Sequence, residues 1–322
     1  MTTPDRRIAF LTYLSRSGST FLAQRLHALR DVGVSLEARI PDDLVYGPVD
    51  VHAEADRVAL VDHLFTDEKF RAWGIDRARL DERLASLPLP LGFGDLLPAL
   101  LDLHLGAPEP AVRVYKMGHY VFHLDVLRRW FPDCRVIFVL RDPRGVYNSQ
   151  KRARDSRTGQ PMAVQPVDTA LRFRQAAEAL DRHRTAPWLH IVRYEQLVAE
   201  PDAECERIAA FLGVQSEPDP EAPLYDEQIP AAQQHLHPHA GGAPIAQRSD
   251  AWREELHPSE IFCLQRLAGP AMERWRYPLI QPGGSALARW TGYAAYRARH
   301  RLRDLRHRLR AHRTNGDVPQ RP

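Results

Sequence analysis

The order of apolar and amphipathic stretches along this chain predicts an α/β fold, a parallel sheet with helices on both faces. Three observations predict it. Apolar runs of strand length recur at Ile8 to Leu14, Val34 to Leu36, Val112 to Lys116, Val136 to Leu140 and His190 to Arg193. Helical stretches separate them, as crossovers between parallel strands require. The first and fourth runs each end in a short turn that opens a helix, Ser15-Arg16-Ser17-Gly18-Ser19-Thr20 after Leu14 and Arg141-Asp142-Pro143-Arg144 after Leu140.

Taken in order, the small-residue turn leads into Phe21 to Leu29, an amphipathic helix. Between Asp50 and Leu105 the pattern is helical throughout, with Thr66 and Asp76 as caps and a break at Pro88-Leu89-Pro90. This insertion is expected to overhang the functional site, because connections after sheet strands are where such proteins vary. A helix starting near Tyr120 ends at Phe131-Pro132. Val136 to Leu140 is apolar at every position and reads as a fully buried strand, and Pro143 suits the first turn of the next helix. Residues 218–244, rich in Pro, Gly, Gln and His, read as an irregular connection.

The tail from Ala286 to Arg313 reads as one helix, with Leu287, Trp290, Tyr293, Leu302, Leu305 and Leu309 near helical spacing and arginines on the other face. Such a helix fits an anionic membrane surface or an acidic partner; the plainer reading docks it on its own domain with the arginine face in water. Residues 314–322 are expected to be disordered. The organisation predicted is one main domain over 1–283, with the insertion at about 50–105, and a basic helical tail over 284–322. No internal repeat is visible.

Composition sets the outer limits. With 322 residues, 44% of them hydrophobic, the chain can bury the core of one large α/β domain with appendages. A formal net charge of +3 fits an anionic small molecule and does not call for nucleic acid. The three cysteines, Cys134, Cys205 and Cys263, are scattered without metal spacing, and the amino terminus has no apolar signal core, so a reducing cytoplasmic location is expected. No apolar stretch reaches membrane-spanning length. The one histidine cluster, His235-Leu236-His237-Pro238-His239, lacks a partner pair at zinc spacing and reads as a polar loop, so no metal is expected.

Two segments carry chemistry. Strand, small-residue turn and helix start together aim free backbone N–H groups and the positive end of a helix dipole at a phosphate or sulfate. The same residues would equally serve as a plain helix cap through Ser15 or Ser17. The turn is not a Walker A loop, since the lysine that should precede its hydroxyl residue is absent and the cation, Arg16, comes first. In the second segment Arg141 ends a strand and Ser149 lies on the following helix, so both can converge on one dianionic group; alternatively Arg141 pairs with an acid and Ser149 is an ordinary helical serine.

Together the segments resemble the sulfotransferases that use 3′-phosphoadenosine 5′-phosphosulfate (PAPS), whose [PS]RSG[ST][ST] loop holds the 5′-phosphosulfate and whose RDPR-x4-S unit holds the 3′-phosphate. The closest variant is the branch of tyrosylprotein and many bacterial enzymes, which begin the loop with arginine. The resemblance runs from Arg7 to about Phe211, with a weaker echo at Arg248 and Ser249. It implies a P-loop-like fold and binding of PAPS by Ser15, Arg16, Ser17, Gly18, Ser19, Thr20, Arg141, Ser149, Tyr194, Arg248 and Ser249. It further implies that Lys116 contacts the transferring sulfonate and that Glu37 is the general base, with His119, one residue off the cytosolic pattern, as the other candidate. Glu37 also reads as an ion-pair partner of Arg39, and His119 as a cap for the helix near Tyr120.

Sulfuryl transfer, like phosphoryl transfer, passes through a loose in-line transition state, so fixed cations at Arg16 and Lys116 replace a metal and a carboxylate takes the acceptor proton. The acceptor implied is a hydroxyl on a carbohydrate, lipid or small metabolite in a bacterium. The alternatives are a nucleoside kinase or related phosphotransferase of the same fold class, disfavoured by the missing Walker lysine, and a nucleotide-binding module without activity.

Overall fold

The structure, a computed structural model, describes residues 7–47, 50–106, 110–155, 158–220, 225 and 249–315, with backbone only at 307 and 309–315. Its elements run β1 (Arg7–Tyr13), α1 (Ser19–His27), β2 (Val32–Val34), α2 (Asp42–Tyr46), α3 (Glu54–Leu64), α4 (Glu68–Arg71), α5 (Arg77–Ala85) and α6 (Phe93–Leu105). There follow β3 (Val112–Lys116), a 3-10 turn (Gly118–His123), α7 (Leu124–Trp130), β4 (Arg135–Leu140), α8 (Pro143–Arg152), α9 (Pro166–Arg182), β5 (Leu189–Arg193), α10 (Tyr194–Ala199) and α11 (Pro201–Leu212). The last three are α12 (Trp252–Glu255), α13 (Pro258–Arg274) and α14 (Ala286–Asn315). The chain forms two compact units: Met1–Arg141 with Ala179–Ala246, and Asp142–Glu178 with Gln247–Pro322.

All five strands belong to the first unit and form one parallel sheet of order β2-β3-β1-β4-β5, flanked by helices, as the run of apolar segments predicts. The register sets Leu11 beside Lys116, Tyr13 beside Val139 and Leu140 beside Arg193. Phe10, Leu11, Val114, Tyr115 and Val136 to Val139 are fully buried, the burial a parallel sheet needs because it is covered on its faces. Parallel strands all end at one edge, and the strand order reverses between β1 and β4, where ligands of open α/β sheets bind.

Some boundaries differ from the expectation. The second strand is Val32–Val34 rather than Val34 to Leu36. The ladder with β3 ends when the Ser35 amide donates to Val114 O at 2.9 Å, and Leu36 is buried by packing alone. Asp76 caps α5, accepting from the Arg79 amide at 3.0 Å. Thr66 is no cap: its hydroxyl donates to His63 O at 2.6 Å at the end of α3, and Asp67 caps α4. The helix expected near Tyr120 begins as the 3-10 turn, and the Pro88-Leu89-Pro90 break falls between α5 and α6.

In the second unit, α8 starts with Asp142 as N-cap and Pro143 at its first position. Buried Glu260 accepts hydrogen bonds from Tyr147 Oη at 3.0 Å and Lys151 Nζ at 2.9 Å, tying α8 to α13. The tail helix α14 packs on α13, with Trp290 and Tyr293 against Phe262 at ring separations of 5.1 and 6.1 Å. A Cβ at Gly292 would lie 2.5 Å from that of Ser259, so only glycine allows this approach. Residues 314–322 were expected to be disordered; α14 reaches Asn315, and the rest lie outside the described residues.

Candidate active site

The turn after β1 is shaped by two residues with positive φ, Arg16 at 72° and Gly18 at 94°. Arginine rarely adopts that conformation, so something must hold it there. One hold is Arg141, whose Nη1 donates to Arg16 O at 2.9 Å. Gly18 is the N-cap of α1 and, as a glycine, offers that helix no capping side chain. Ser17 does not take the capping role open to it, since its Oγ meets no partner among the described residues. The amides of Ser19, Thr20 and Phe21 have no carbonyl within the helix to bond and face the dipole's positive end. The Ser17 amide is already used, donating to Leu14 O at 3.1 Å, so the free backbone N–H groups expected in this turn begin at Gly18.

Two orphaned atoms mark the same place. Ser17 Oγ and Arg141 Nε are buried and meet no partner among the described residues, an arrangement that fits an anion with oxygens to donate to. A Cβ on Gly18 would sit 2.4 Å from the Tyr194 ring, because Tyr194, at the start of α10, lies against the loop. The Arg141 guanidinium lies over that ring at 4.0 Å. Arg141, Tyr194 and the loop thus form one packed group at the carboxyl edge of β1, β4 and β5.

Lys116 ends β3 at the same edge. It is buried, its Nζ donating to Thr20 Oγ1 at 3.3 Å with the rings of Tyr13 and Tyr225 at 5.4 and 5.9 Å. No carboxylate pairs with it among the salt bridges of the described residues.

Glu37 follows β2, in a segment held from several sides. Lys69 of α4 donates to its carboxylate. Asp67 accepts from the Arg39 amide at 2.7 Å and from the Lys69 amide at 2.9 Å, and Tyr115 Oη donates to Ala38 O. The ion pair with Arg39 does not form, since Arg39 meets Asp42 at 2.8 Å. His119 lies in the 3-10 turn against Tyr120 and Tyr46, at ring separations of 4.9 and 6.2 Å. Burial lowers its pKa, opposed chiefly by the charge of Asp42 and least by that of Glu37.

A model of the sulfotransferase family matches residues 9–218. The chain belongs to the sulfotransferase family. No curated protein sequence matches it. Among solved structures, the sulfotransferase domain of the Synechococcus PCC 7002 olefin synthase aligns at 18% identity over 87% of this chain and 98% of its own, with a TM-score of 0.55. The sulfotransferase domain from the curacin biosynthetic pathway aligns at 18% identity over 85% of this chain and 99% of its own, with a TM-score of 0.52. Mouse sulfotransferase SULT7A1, solved with PAP, aligns at 12% identity over 83% of this chain and 85% of its own, with a TM-score of 0.45.

Of the residues expected at the site of this sulfotransferase, Arg16 to Thr20, Glu37, Lys116, His119, Arg141 and Tyr194 lie in the first unit. Ser149 lies on α8, and Ser249 precedes α12; both belong to the second unit, whereas Arg248 and the His235 to His239 cluster fall outside the described residues. No cluster able to hold a metal occurs among the described residues. The sequence reading missed Lys69 and Asp67. Their pairing with Glu37 and Arg39 spans 32 and 28 residues, and nothing local to either segment signals it.

Proposed function

We propose that this sulfotransferase moves a sulfonate group from PAPS to a hydroxyl acceptor. The observation that carries the reading is the start of α1 at a glycine N-cap, flanked by Arg16, Lys116 and Arg141 and by the orphaned Ser17 Oγ. The amides from Gly18 to Thr20, with the hydroxyls of Ser17, Ser19 and Thr20, would bind the 5′-phosphate. Arg141 would hold the 3′-phosphate through the donor it keeps spare. For Ser149, Arg248 and Ser249 the support is the sequence motif alone.

Charge on the leaving and equatorial oxygens would be met by Arg16 and Lys116, whose positions the loop and strand predetermine; that is the form of catalysis loose transfer allows. Glu37 would take the proton of the acceptor hydroxyl. Its hold by Lys69 ties the carboxylate to α4, whereas His119 packs half-buried against the rings of Tyr120 and Tyr46. The Pro-broken helical insertion, through α4, then belongs to the acceptor side. Three buried free cysteines accord with the reducing compartment expected from the sequence.

Calorimetry with adenosine 3′,5′-bisphosphate, AMP and ATP tests the donor. The bisphosphate should bind tightest, and equal affinity for AMP would overturn the assignment of a 3′-phosphate site. An acceptor screen with labelled PAPS tests the chemistry. Glu37→Gln should lower turnover roughly 10²–10⁴-fold with bisphosphate affinity unchanged; loss of turnover in His119→Ala with Glu37→Gln still active would move the base to His119.

A further inference from the structure

The longest helix, α14, uses only part of its surface within its own unit. One side is docked: Trp290 and Tyr293 on Phe262, Gly292 against Ser259, and farther along Arg303 and His300 on Asp168 of α9 at 2.7 and 3.2 Å. At 3.6 residues per turn, Leu287, Thr291, Ala294, Ala298, Leu302 and Leu305 fall within an arc of roughly 80° on the side facing away from those contacts. All six are exposed, Leu287 by 74%, Leu302 by 56% and Leu305 by 53%, although leucines on a docked helix ordinarily turn inward. Arg299 and Arg306 border this line on one side and Arg301 and Arg308 on the other, and all four are exposed. Over its whole length the helix holds nine arginines and one acidic residue, Asp304.

We propose that this outer face of α14 docks the protein on an anionic lipid surface, the leucine line entering the interface and the arginines reaching up to lipid phosphates. An interfacial helix needs this pattern, a narrow apolar stripe with long cationic side chains on both margins, whose stems lie along the apolar layer while the guanidiniums stay wet. Charge selects against the other occupants. A second copy of the same face would bring arginine margins against arginine margins. A nucleic acid would use the arginines through its phosphates and leave the leucines in water. The opposite face is already tied to α9 and α13, so docking requires no refolding of the helix.

The test is sedimentation of the full-length protein with vesicles of phosphatidylcholine alone and of phosphatidylcholine with phosphatidylglycerol. Binding is expected to the anionic vesicles only and to weaken with salt. A Leu302→Gln, Leu305→Gln variant, which keeps every charge, should lower vesicle partitioning about tenfold or more, while its affinity for adenosine 3′,5′-bisphosphate and its melting temperature stay as in the parent. An Arg301→Gln, Arg306→Gln, Arg308→Gln variant should lose the preference for anionic vesicles. Absence of binding to anionic vesicles, equal binding to neutral ones, or binding indifferent to the two leucines would each overturn the proposal, the last pointing to a polyanion site. So would a concentration-dependent dimer in light scattering that the leucine substitutions abolish.

Discussion

Two strand-to-helix turns, after the neighbouring strands β1 and β4, solve the same geometric problem in opposite ways. At α8 the turn is closed. Asp142 accepts from the Arg144 amide at 2.8 Å, Pro143 needs no partner, and the fully buried Arg144 side chain returns to Asp142 at 2.6 Å while reaching Gln265 at 2.8 Å and stacking on Trp252 at 3.9 Å. At α1 the turn is open. Its N-cap is a glycine, with no side chain to bond the first amides, and Ser17 Oγ is left without a partner among the described residues. A helix start normally gains stability from a capping side chain, by about 0.5–2 kcal/mol. Forgoing it makes sense where a ligand is to supply the acceptor. The difference also separates the two arginines of the second motif: Arg141 faces the open turn, and Arg144 belongs wholly to the closed one.

Damage to the closed turn is therefore expected to read out in stability and damage to the open one in binding and turnover. The largest effect is expected from Asp142→Ala, which strands a buried guanidinium; unfolding free energy should fall by roughly 3–5 kcal/mol in denaturant titration. A nearly unchanged midpoint would break the comparison. Arg16→Ala should raise the barrier to transfer by ~3–4 kcal/mol and leave the melting temperature almost unmoved, with partial rescue by lysine, which restores charge without the planar fork. Arg141→Ala should weaken adenosine 3′,5′-bisphosphate by ~1.5–3 kcal/mol in calorimetry. Since it also frees the Arg16 carbonyl, AMP affinity should drop as well, though by less.

Smaller effects sharpen the picture. Lys69→Met should reduce turnover roughly 10-fold to 10²-fold by loosening Glu37, without changing bisphosphate affinity, and Lys69→Arg should restore most of it. An unaltered turnover would show that the clamp is ornamental to catalysis. The far end of α1 offers the mildest test. His27 Nδ1 accepts from the Val34 amide at 3.1 Å, and burial lowers the His27 pKa below its ordinary 6.5. A histidine kept neutral by folding contributes stability that is present above the unfolded value and lost as pH falls below it, because the unfolded chain binds the proton first. Melting temperature should therefore decline as pH drops below 6.5, and the decline should be shallower in His27→Gln.

Much of the open turn was legible because its chemistry is local. Presenting consecutive amides demands small residues at a strand end, as in Ser17-Gly18-Ser19-Thr20; the same residues read equally as a helix cap, and the resemblance to the sulfotransferases favoured the anion cradle. The same reasoning placed Lys116 and Arg141 at strand ends, since parallel strands share an edge. The closed turn was half legible: Pro143 and the helix start were plain, but nothing in Arg144 distinguished a ligand-facing arginine from a buried one until Gln265 and Trp252, more than 100 residues away, closed around it. The tail shows a similar division. Its helical period and arginine bias stand in the sequence, whereas which face docks was settled by Gly292 and Asp168.

By itself the sequence determined what depends on short range: the strands, the crossovers that force them parallel, the two turns and the charge of α14. Hydrophobic period and turn chemistry act over a few residues, so they survive without knowledge of the fold. Tertiary structure alone decided which groups were left over. Tyr194 against Gly18, Lys69 on Glu37, Asp67 on the Arg39 amide and the outward leucines of α14 all follow from how distant elements pack, and whether a polar or apolar group is satisfied depends on that packing and not on the residue's neighbours in the chain.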